Sequence, residues 1–353
     1  MNKKTRLKLI ISLSSVGALA LGVFGFIYFS YLHHYKGKDV HYDWKETDPF
    51  DITSLPTVEK TSGEEFRILN FADIQICDLE NMFDRDKVHK EMTYLVEQTK
   101  PHLITLTGDQ TWSNENRYSL MNIISWLDDY KIPYAPVFGN HDFGNEGHVA
   151  VATPNYCCDL YENGKYSLFK RGPTNIDSLG NYAIRVMEDN KTYSLLYMVY
   201  SGVNEKINDQ QISYFKWIAN GVKTAEGSLP KSFTFMHKPL PEYINAYYAY
   251  QSGVPGVEKR GEMYHYYYLG GSEQNGFFDF AQTINIDNIV AGHQHGNCFS
   301  IKYNGVWLTS SLKTGEFGGT IDNEQVYLNG ATLFKLNNQS SELENIFVKK
   351  GQF

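Results

Sequence analysis

From Glu65 onward, short apolar runs alternate with stretches of helical spacing. Phe66 to Phe71 reads as a strand that runs into Ala72-Asp73-Ile74-Gln75. Residues 84–98 carry helical spacing and stop near Pro101. Residues 103–107 form an apolar run leading to Gly108-Asp109, residues 116–130 a second helix, and residues 134–138 a strand leading to Gly139-Asn140-His141-Asp142. Strand, helix, strand, helix, strand predicts an α/β fold. Further along, residues 182–187 and 193–200 predict a strand pair across the turn 188–191, residues 208–223 a helix, residues 232–236 a strand ending at His237, and residues 288–291 a strand running into Gly292-His293-Gln294-His295. Residues 143–180 and about 243–276 read as insertions, the second one aromatic. No internal repeat is visible.

The amino terminus follows another pattern. Leu9 to Leu32 holds no charged side chain, and Lys3, Lys4, Arg6 and Lys8 precede it. A helix of that length rises roughly 36 Å, more than a hydrocarbon core of about 30 Å. The expectation is a transmembrane signal anchor with its positive flank in the cytoplasm. Ala18-Leu19-Ala20 resembles a cleavage site and offers a cleavable signal peptide as the rival. The chain nevertheless stays apolar through Phe29, which favours the uncleaved anchor. The expected organisation is residues 1–32 as cytoplasmic tip and anchor, 33–63 as a stalk or linker, and 64–353 as the folded domain. That makes a single-pass cell-membrane protein with the domain extracytoplasmic.

Composition narrows the classes. The 353 residues carry a net charge of −8, 42% hydrophobic and 20% charged residues. There is enough apolar chain for a sizeable core, so a disordered or collagen-like chain is excluded. The acidic balance argues against general nucleic-acid binding, yet leaves room for an anionic substrate, since bound metal ions reverse the local field. Cys77, Cys157, Cys158 and Cys298 are too few for a disulfide scaffold. Cys77 and Cys298 are read either as a disulfide, if the domain is extracytoplasmic, or as two buried thiols.

Chemistry gathers where strands end. Asp73-x-Gln75, Gly108-Asp109, Gly139-Asn140-His141-Asp142, His237 and Gly292-His293-x-His295 each follow a predicted strand. In α/β folds the carboxyl ends of strands share a crevice. Carboxylate, amide oxygen and imidazole suit divalent ions such as Mn, Fe or Zn, and an ion pair can clamp an in-line displacement at phosphorus.

These motifs, in this order, resemble the calcineurin-like metallophosphoesterase superfamily, whose pattern is D-x-H, GD, GNH[DE], H and GH-x-H. The likeness covers residues of roughly 65 to 320. It implies a four-layer α/β/β/α sandwich, two divalent metal ions and a metal-dependent phosphoesterase whose bridging hydroxide attacks phosphorus. Residue by residue, it implies that Asp73, Gln75 and His295 bind one ion, that Asp109 bridges, and that Asn140, His237 and His293 complete the other. His141 would protonate the leaving oxygen, and Asp142 would orient it. A phosphorylated small molecule is the implied substrate. A phosphodiesterase or pyrophosphatase acting on nucleotides or lipid headgroups, and a non-catalytic surface module, are the alternatives.

The sequence departs from the pattern at two places. Gln75 stands where most members have His; an amide oxygen is the weaker donor and favours harder ions, which points to Mn. A manganese-dependent pyrophosphatase group looks similar here, with D-I-Q followed by an Asp at the place of Asp78. Trp112 stands where purple acid phosphatases carry a Tyr ligand; an indole N–H is a donor only. Met236 to Tyr243 is similar to an "H-x-P-x-P-E" stretch of some members. His148, His265 and the tyrosines at 247–250 and 264–268 are candidates to border the substrate, with packing as the plainer reading.

Overall fold

The computed structural model describes residues 17–19, 21–26, 35–77, 82–144, 150–176, 178–201, 207–264, 276–315, 329–337, 341–349 and 351–353. Two sheets dominate. The smaller combines β2 (Phe66–Phe71), β3 (Leu103–Thr107), β4 (Tyr134–Val137), β12 (Gly330–Leu336) and β13 (Ser341–Phe347) in the order β13-β12-β2-β3-β4. The larger combines β1 (Thr57–Glu59), β5 (Tyr182–Glu188), β6 (Lys191–Val199), β7 (Ser232–Met236), β8 (Glu258–Met263), β9 (Ile286–Ala291), β10 (Asn297–Tyr303) and β11 (Val306–Ser310) in the order β1-β5-β6-β7-β9-β11-β10-β8.

Side-chain alternation presses the sheets together. On β5 and β6, Ile184, Val186, Leu196 and Met198 join the core that also holds β2 to β4, while Ala183, Leu195, Tyr197 and Val199 join a second core on the opposite face. A period of two along a strand requires that division. Phe334 of β12 meets Phe233 and Phe235 of β7 edge-on, with ring centroids 5.8 and 6.1 Å apart. Helices cover the outside: α1 (Met82–Thr99) lies over β2 and β12, and α2 (Asn116–Tyr130) packs beside it. On the other sheet, α4 (Asp209–Glu226) covers β6, α5 (Glu242–Gln251) covers β10 and α6 (Phe277–Thr283) covers β9. The result is an α/β sandwich.

Strand direction sets the place of the chemistry. β2, β3 and β4 are mutually parallel, as are β6, β7, β9 and β11. Their carboxyl ends therefore emerge together within each sheet, and the sandwich brings the two sets to one edge.

Some expectations are sharpened or decided here, and others change. The strand pair at 182–200 turns on two residues, Asp189 and Asn190, both at positive φ (51° and 62°), as a tight hairpin requires. The irregular stretch 143–180 contains α3 (Pro154–Glu162), whose amino end is capped by Thr153. The segment read as a stalk is docked from residue 35 onward: Trp44 is buried against Tyr214 and Trp217, and β1 pairs in parallel with β5. No disulfide joins Cys77 to Cys298; all four cysteines are buried.

The expected membrane anchor is corrected. Among the described residues no helix is long and apolar enough to cross a membrane. Of the expected span, residues 17–19 and 21–26 are helical, and at 1.5 Å per residue they rise about half of a ~30 Å hydrocarbon core. The remainder, residues 9–16, 20 and 27–32, lies outside the described residues. The transmembrane helix, the membrane as a partner and the single-pass extracytoplasmic placement have no span among the described residues to rest on and are withdrawn. His148, His265, Asp78 and the tyrosines at 266–268 also lie outside the described residues.

Candidate metal centre

Each candidate side chain sits one to five residues beyond a strand: Asp73 and Gln75 after β2, Asp109 after β3, Asn140 to Asp142 after β4, His237 after β7, His293 and His295 after β9. The chain turns sharply at these points. Asp73, Gln75, Asp109 and His293 all hold positive φ, at 53°, 52°, 51° and 68°. Left-handed backbone is strained for residues with a Cβ, by about 1–3 kcal/mol each, and such strain collects at functional sites. Cross-links between the loops hold it: the Asp73 N–H donates to the Gly108 carbonyl (3.1 Å), and the Gln75 N–H to the Asp109 carbonyl (2.9 Å). Two glycines admit the close approach. A Cβ at Gly108 would overlap the His237 ring, and one at Gly139 would overlap the Asp109 carboxylate.

His237 defines the centre. Its Nδ1 faces the Thr107 carbonyl at 2.9 Å. A carbonyl only accepts, so Nδ1 carries the hydrogen, and Nε2 of the neutral ring carries the lone pair. That nitrogen lies 2.9 Å from Asn140 Oδ1, 3.3 Å from Asp109 Oδ2 and 3.2 Å from His293 Nδ1. The ligand atoms of Asp109, His237 and His293 all fall within 4.8 Å of one another. Hydrogen-bond acceptors face Nε2 here, and either a proton on that nitrogen or a cation between them satisfies the arrangement. Two further contacts orient the cluster from behind. The His141 N–H binds Asp109 Oδ1 (2.8 Å), leaving Oδ2 for the centre, and Thr107 fixes the His237 tautomer. Outer-shell partners of this kind accompany metal-binding histidines generally. The donor set fits a divalent ion of the Mn, Fe or Zn kind.

Charges within the cluster follow from burial and proximity. Burial opposes ionisation of Asp109, but His237 and His141 outweigh it and hold the carboxyl below its ordinary range. Asp73 is lowered too, its burial outweighed by His295 and His237. Burial also opposes a charge on His237, yet Asp109 beside it prevails and raises the ring to about 9. Burial and then the His237 charge push His293 down to about 4.

The other expected residues lie around this core. Asp73 accepts the His293 N–H at Oδ2 (2.8 Å), and its Oδ1 lies 3.3 Å from His295 Nε2. Gln75 Oε1 accepts from the buried ammonium of Lys313 at 3.0 Å. The His141 ring packs on Trp112, centroids 3.8 Å apart, with Nε2 3.9 Å from Asp109 Oδ2. Asp142 is buried, and its two oxygens accept the Gly139 and Thr111 N–H groups at 2.7 and 3.0 Å. Burial and Asp109 push its carboxyl up to about 7. It therefore braces the loop that carries Asn140 and His141. Sequence reasoning missed Lys313 and Ser201. The Ser201 hydroxyl accepts the N–H groups of both His237 and Lys238 (3.2 and 2.7 Å).

The sequence profile of the calcineurin-like phosphoesterases matches residues 66–297. The chain belongs to this family. A cluster of metal-ligand side chains, Asp109, His237 and His293, accompanies that family's profile. Among characterised proteins the chain is similar to Phosphatase DCR2 of Saccharomyces cerevisiae, 25% identical over 309 residues. That match takes in 76% of this chain but only 51% of the yeast protein, so this phosphoesterase spans about half the length of that relative. It is also similar to the probable inactive purple acid phosphatase 28 of Arabidopsis thaliana, 24% identical over 297 residues, with 72% of this chain and 71% of the plant protein covered. Among solved structures, GAP50 of Plasmodium matches with a TM-score of 0.47 and 13% identity, over 82% of this chain and 86% of that one. A likeness that loose has no bearing on chemistry.

Proposed function

We propose that this phosphoesterase hydrolyses phosphate esters in a metal-dependent reaction. Asp109, Asn140, His237 and His293 would hold a divalent ion, with Mn the expected metal, and His141 would serve as the acid. Asp73, Gln75 and His295 line the neighbouring position, where the motif set implies a second ion. The ion, when bound, supplies Lewis-acid stabilisation of phosphoryl charge and acidifies water from a pKa of 15.7 towards about 7. Water adds to phosphorus, the ester P–O bond breaks, and the leaving oxygen takes a proton from His141. Proton delivery by a positioned imidazole is worth about 10²–10⁴-fold. The His141 ring suits this work: it lies against Trp112 at the margin of the cluster, and its own backbone N–H anchors Asp109. Asp142 acts at one remove, through the Gly139 and Thr111 amides.

One observation carries the reading: Nε2 of His237 faces Asn140, Asp109 and His293 at 2.9–3.3 Å. The name of the yeast relative, a phosphatase, supports the same bond class. The test uses the full-length chain, stripped with a chelator and then given MnCl₂, against p-nitrophenyl phosphate, bis-p-nitrophenyl phosphate and a nucleoside diphosphate sugar. The expected outcome is loss of hydrolysis on stripping, its return with Mn, and the fastest turnover on the monoester. Faster turnover of the diester or the pyrophosphate bond would reassign the substrate class. Absence of hydrolysis on all three with Mn present would contradict the catalytic reading and leave a binding module.

A further inference from the structure

A histidine that delivers a proton must hold its ring still, yet a histidine on a loop turns about two torsions, the second of them broad. The His141 ring has a flat surface against it. Its centroid lies 3.8 Å from that of the Trp112 indole, with the planes 34° apart. Both residues are half-buried, and His141 Nε2 lies 3.9 Å from Asp109 Oδ2. The backbone under the indole is pinned from three loops. Thr111 is bridged in parallel to Ile76. The Trp112 N–H donates to the Ile76 carbonyl (2.9 Å), and the Ile76 N–H to the Gln110 carbonyl (3.0 Å). The Gln110 side chain donates to the Val137 carbonyl at the end of β4 (2.8 Å), and the Thr111 N–H to Asp142 Oδ1 (3.0 Å). Ile76, Gln110 and Thr111 are all buried. The loops after β2, β3 and β4 thus lock one another, and the indole from the β3 loop meets the imidazole from the β4 loop as a fixed wall.

We propose that Trp112 is the positioning residue for the acid: its indole holds the His141 ring with Nε2 on the Asp109 side, where the leaving oxygen departs. This rests on the reading of His141 as the acid. When the ester P–O bond breaks, its electron pair stays on the leaving oxygen, which takes the proton from the imidazole, while water supplies the new P–O bond. An indole has one N–H donor and no lone pair for a metal, so Trp112 acts on the proton donor and leaves the ion's ligands as they are. Misplacement of a reacting group by about 1 Å costs up to ~10²-fold in rate. The cost depends on the leaving group. An alkoxide needs the proton, whereas p-nitrophenolate leaves with little help.

The experiment compares an alkyl ester, glycerol 2-phosphate, with p-nitrophenyl phosphate on the full-length chain with MnCl₂. Trp112→Ala is expected to lower kcat on the alkyl ester by up to about 10²-fold and on the aryl ester by less, with KM and Mn content at the wild-type level. Trp112→Phe, which keeps a flat ring, should restore most of the alkyl rate. In a His141→Ala background Trp112→Ala should add no further loss, the non-additivity of two residues that act as one. A second readout needs neither metal nor turnover. In the metal-free chain, the His141 ring protons, assigned by their absence in His141→Ala, should resonate upfield under the indole ring current and return to the ordinary position in Trp112→Ala. Equal losses on the two esters, a rise in KM with kcat unchanged, a full further loss in the His141→Ala background, or no upfield signal would each overturn the proposal. If Trp112→Ala does not melt cooperatively, Trp112→Leu, which keeps bulk without a ring, takes its place with the same expected losses. A wild type without Mn-dependent hydrolysis, or a His141→Ala variant at the wild-type rate on the alkyl ester, would strike down the underlying reading and this proposal with it.

Discussion

At the scale of single residues, most of the chemistry depends on which atom of a side chain is already engaged. Thr107 takes one nitrogen of His237 and leaves the other for the centre. The His141 N–H takes one oxygen of Asp109 and leaves the other. Asp142 has both oxygens on backbone amides, so its hydrogen bonds brace the centre through the loop. These roles separate by measurement. His141→Ala is expected to lower kcat by about 10²–10⁴-fold while Mn content stays at the wild-type level, because its anchoring contact to Asp109 comes from the backbone N–H. Loss of Mn along with activity would mean that the imidazole holds the ion instead. The candidate residues were legible in the sequence because each is a ligand type placed just past an apolar run. Lys313 and Ser201 were not. Lysine ordinarily belongs to the surface, and a serine that caps two backbone N–H groups leaves no trace in spacing.

At the scale of elements, the strands with strong apolar character were readable nearly to the residue, β3 and β7 among them. The elements that escaped notice are short or charged. α3 spans Pro154–Glu162 and had one clear marker, Thr153 before Pro154, a cap followed by proline at the first helical position. β8 reads Glu-Lys-Arg-Gly-Glu-Met and is mostly exposed at the end of the large sheet. Charge on an edge strand discourages pairing with other chains, and it also erases the alternation by which strands are recognised. α4 was visible, and its start is fixed by reciprocal bonds: Asn208 Oδ1 accepts the Gln211 N–H (2.8 Å), and Gln211 Oε1 accepts the Asn208 N–H (2.9 Å). Asn208 also donates to the Ile176 carbonyl (3.0 Å). Asn208→Ala is therefore expected to destabilise the fold by about 1 kcal/mol, measured as a shift of the urea midpoint with unchanged slope. A midpoint equal to that of the wild type would show that the cap contributes nothing.

At the scale of the whole molecule, two parallel strand sets in two facing sheets deliver their loops to a single edge, and the centre is built across the gap. Asp109 and Asn140 come from the smaller sheet, His237 and His293 from the larger. Ligand types at successive strand ends pointed to a shared crevice, and the order of motifs tied it to a two-sheet fold through family resemblance; no local pattern reveals how two sheets stack. The same limit applies to residues 35–63. Their polar composition suggested a linker, yet Trp44 and Phe50 seat the segment against Trp217 of α4. An apolar run likewise suggested a membrane span that no described helix provides. The central claim is that the two sheets together hold a divalent ion, and an X-ray structure of the full-length chain grown with MnCl₂ and measured at the Mn absorption edge tests it most directly. The expected result is an anomalous peak enclosed by Asp109, Asn140, His237 and His293. An ordered site with these four side chains in place and no peak among them would contradict the account.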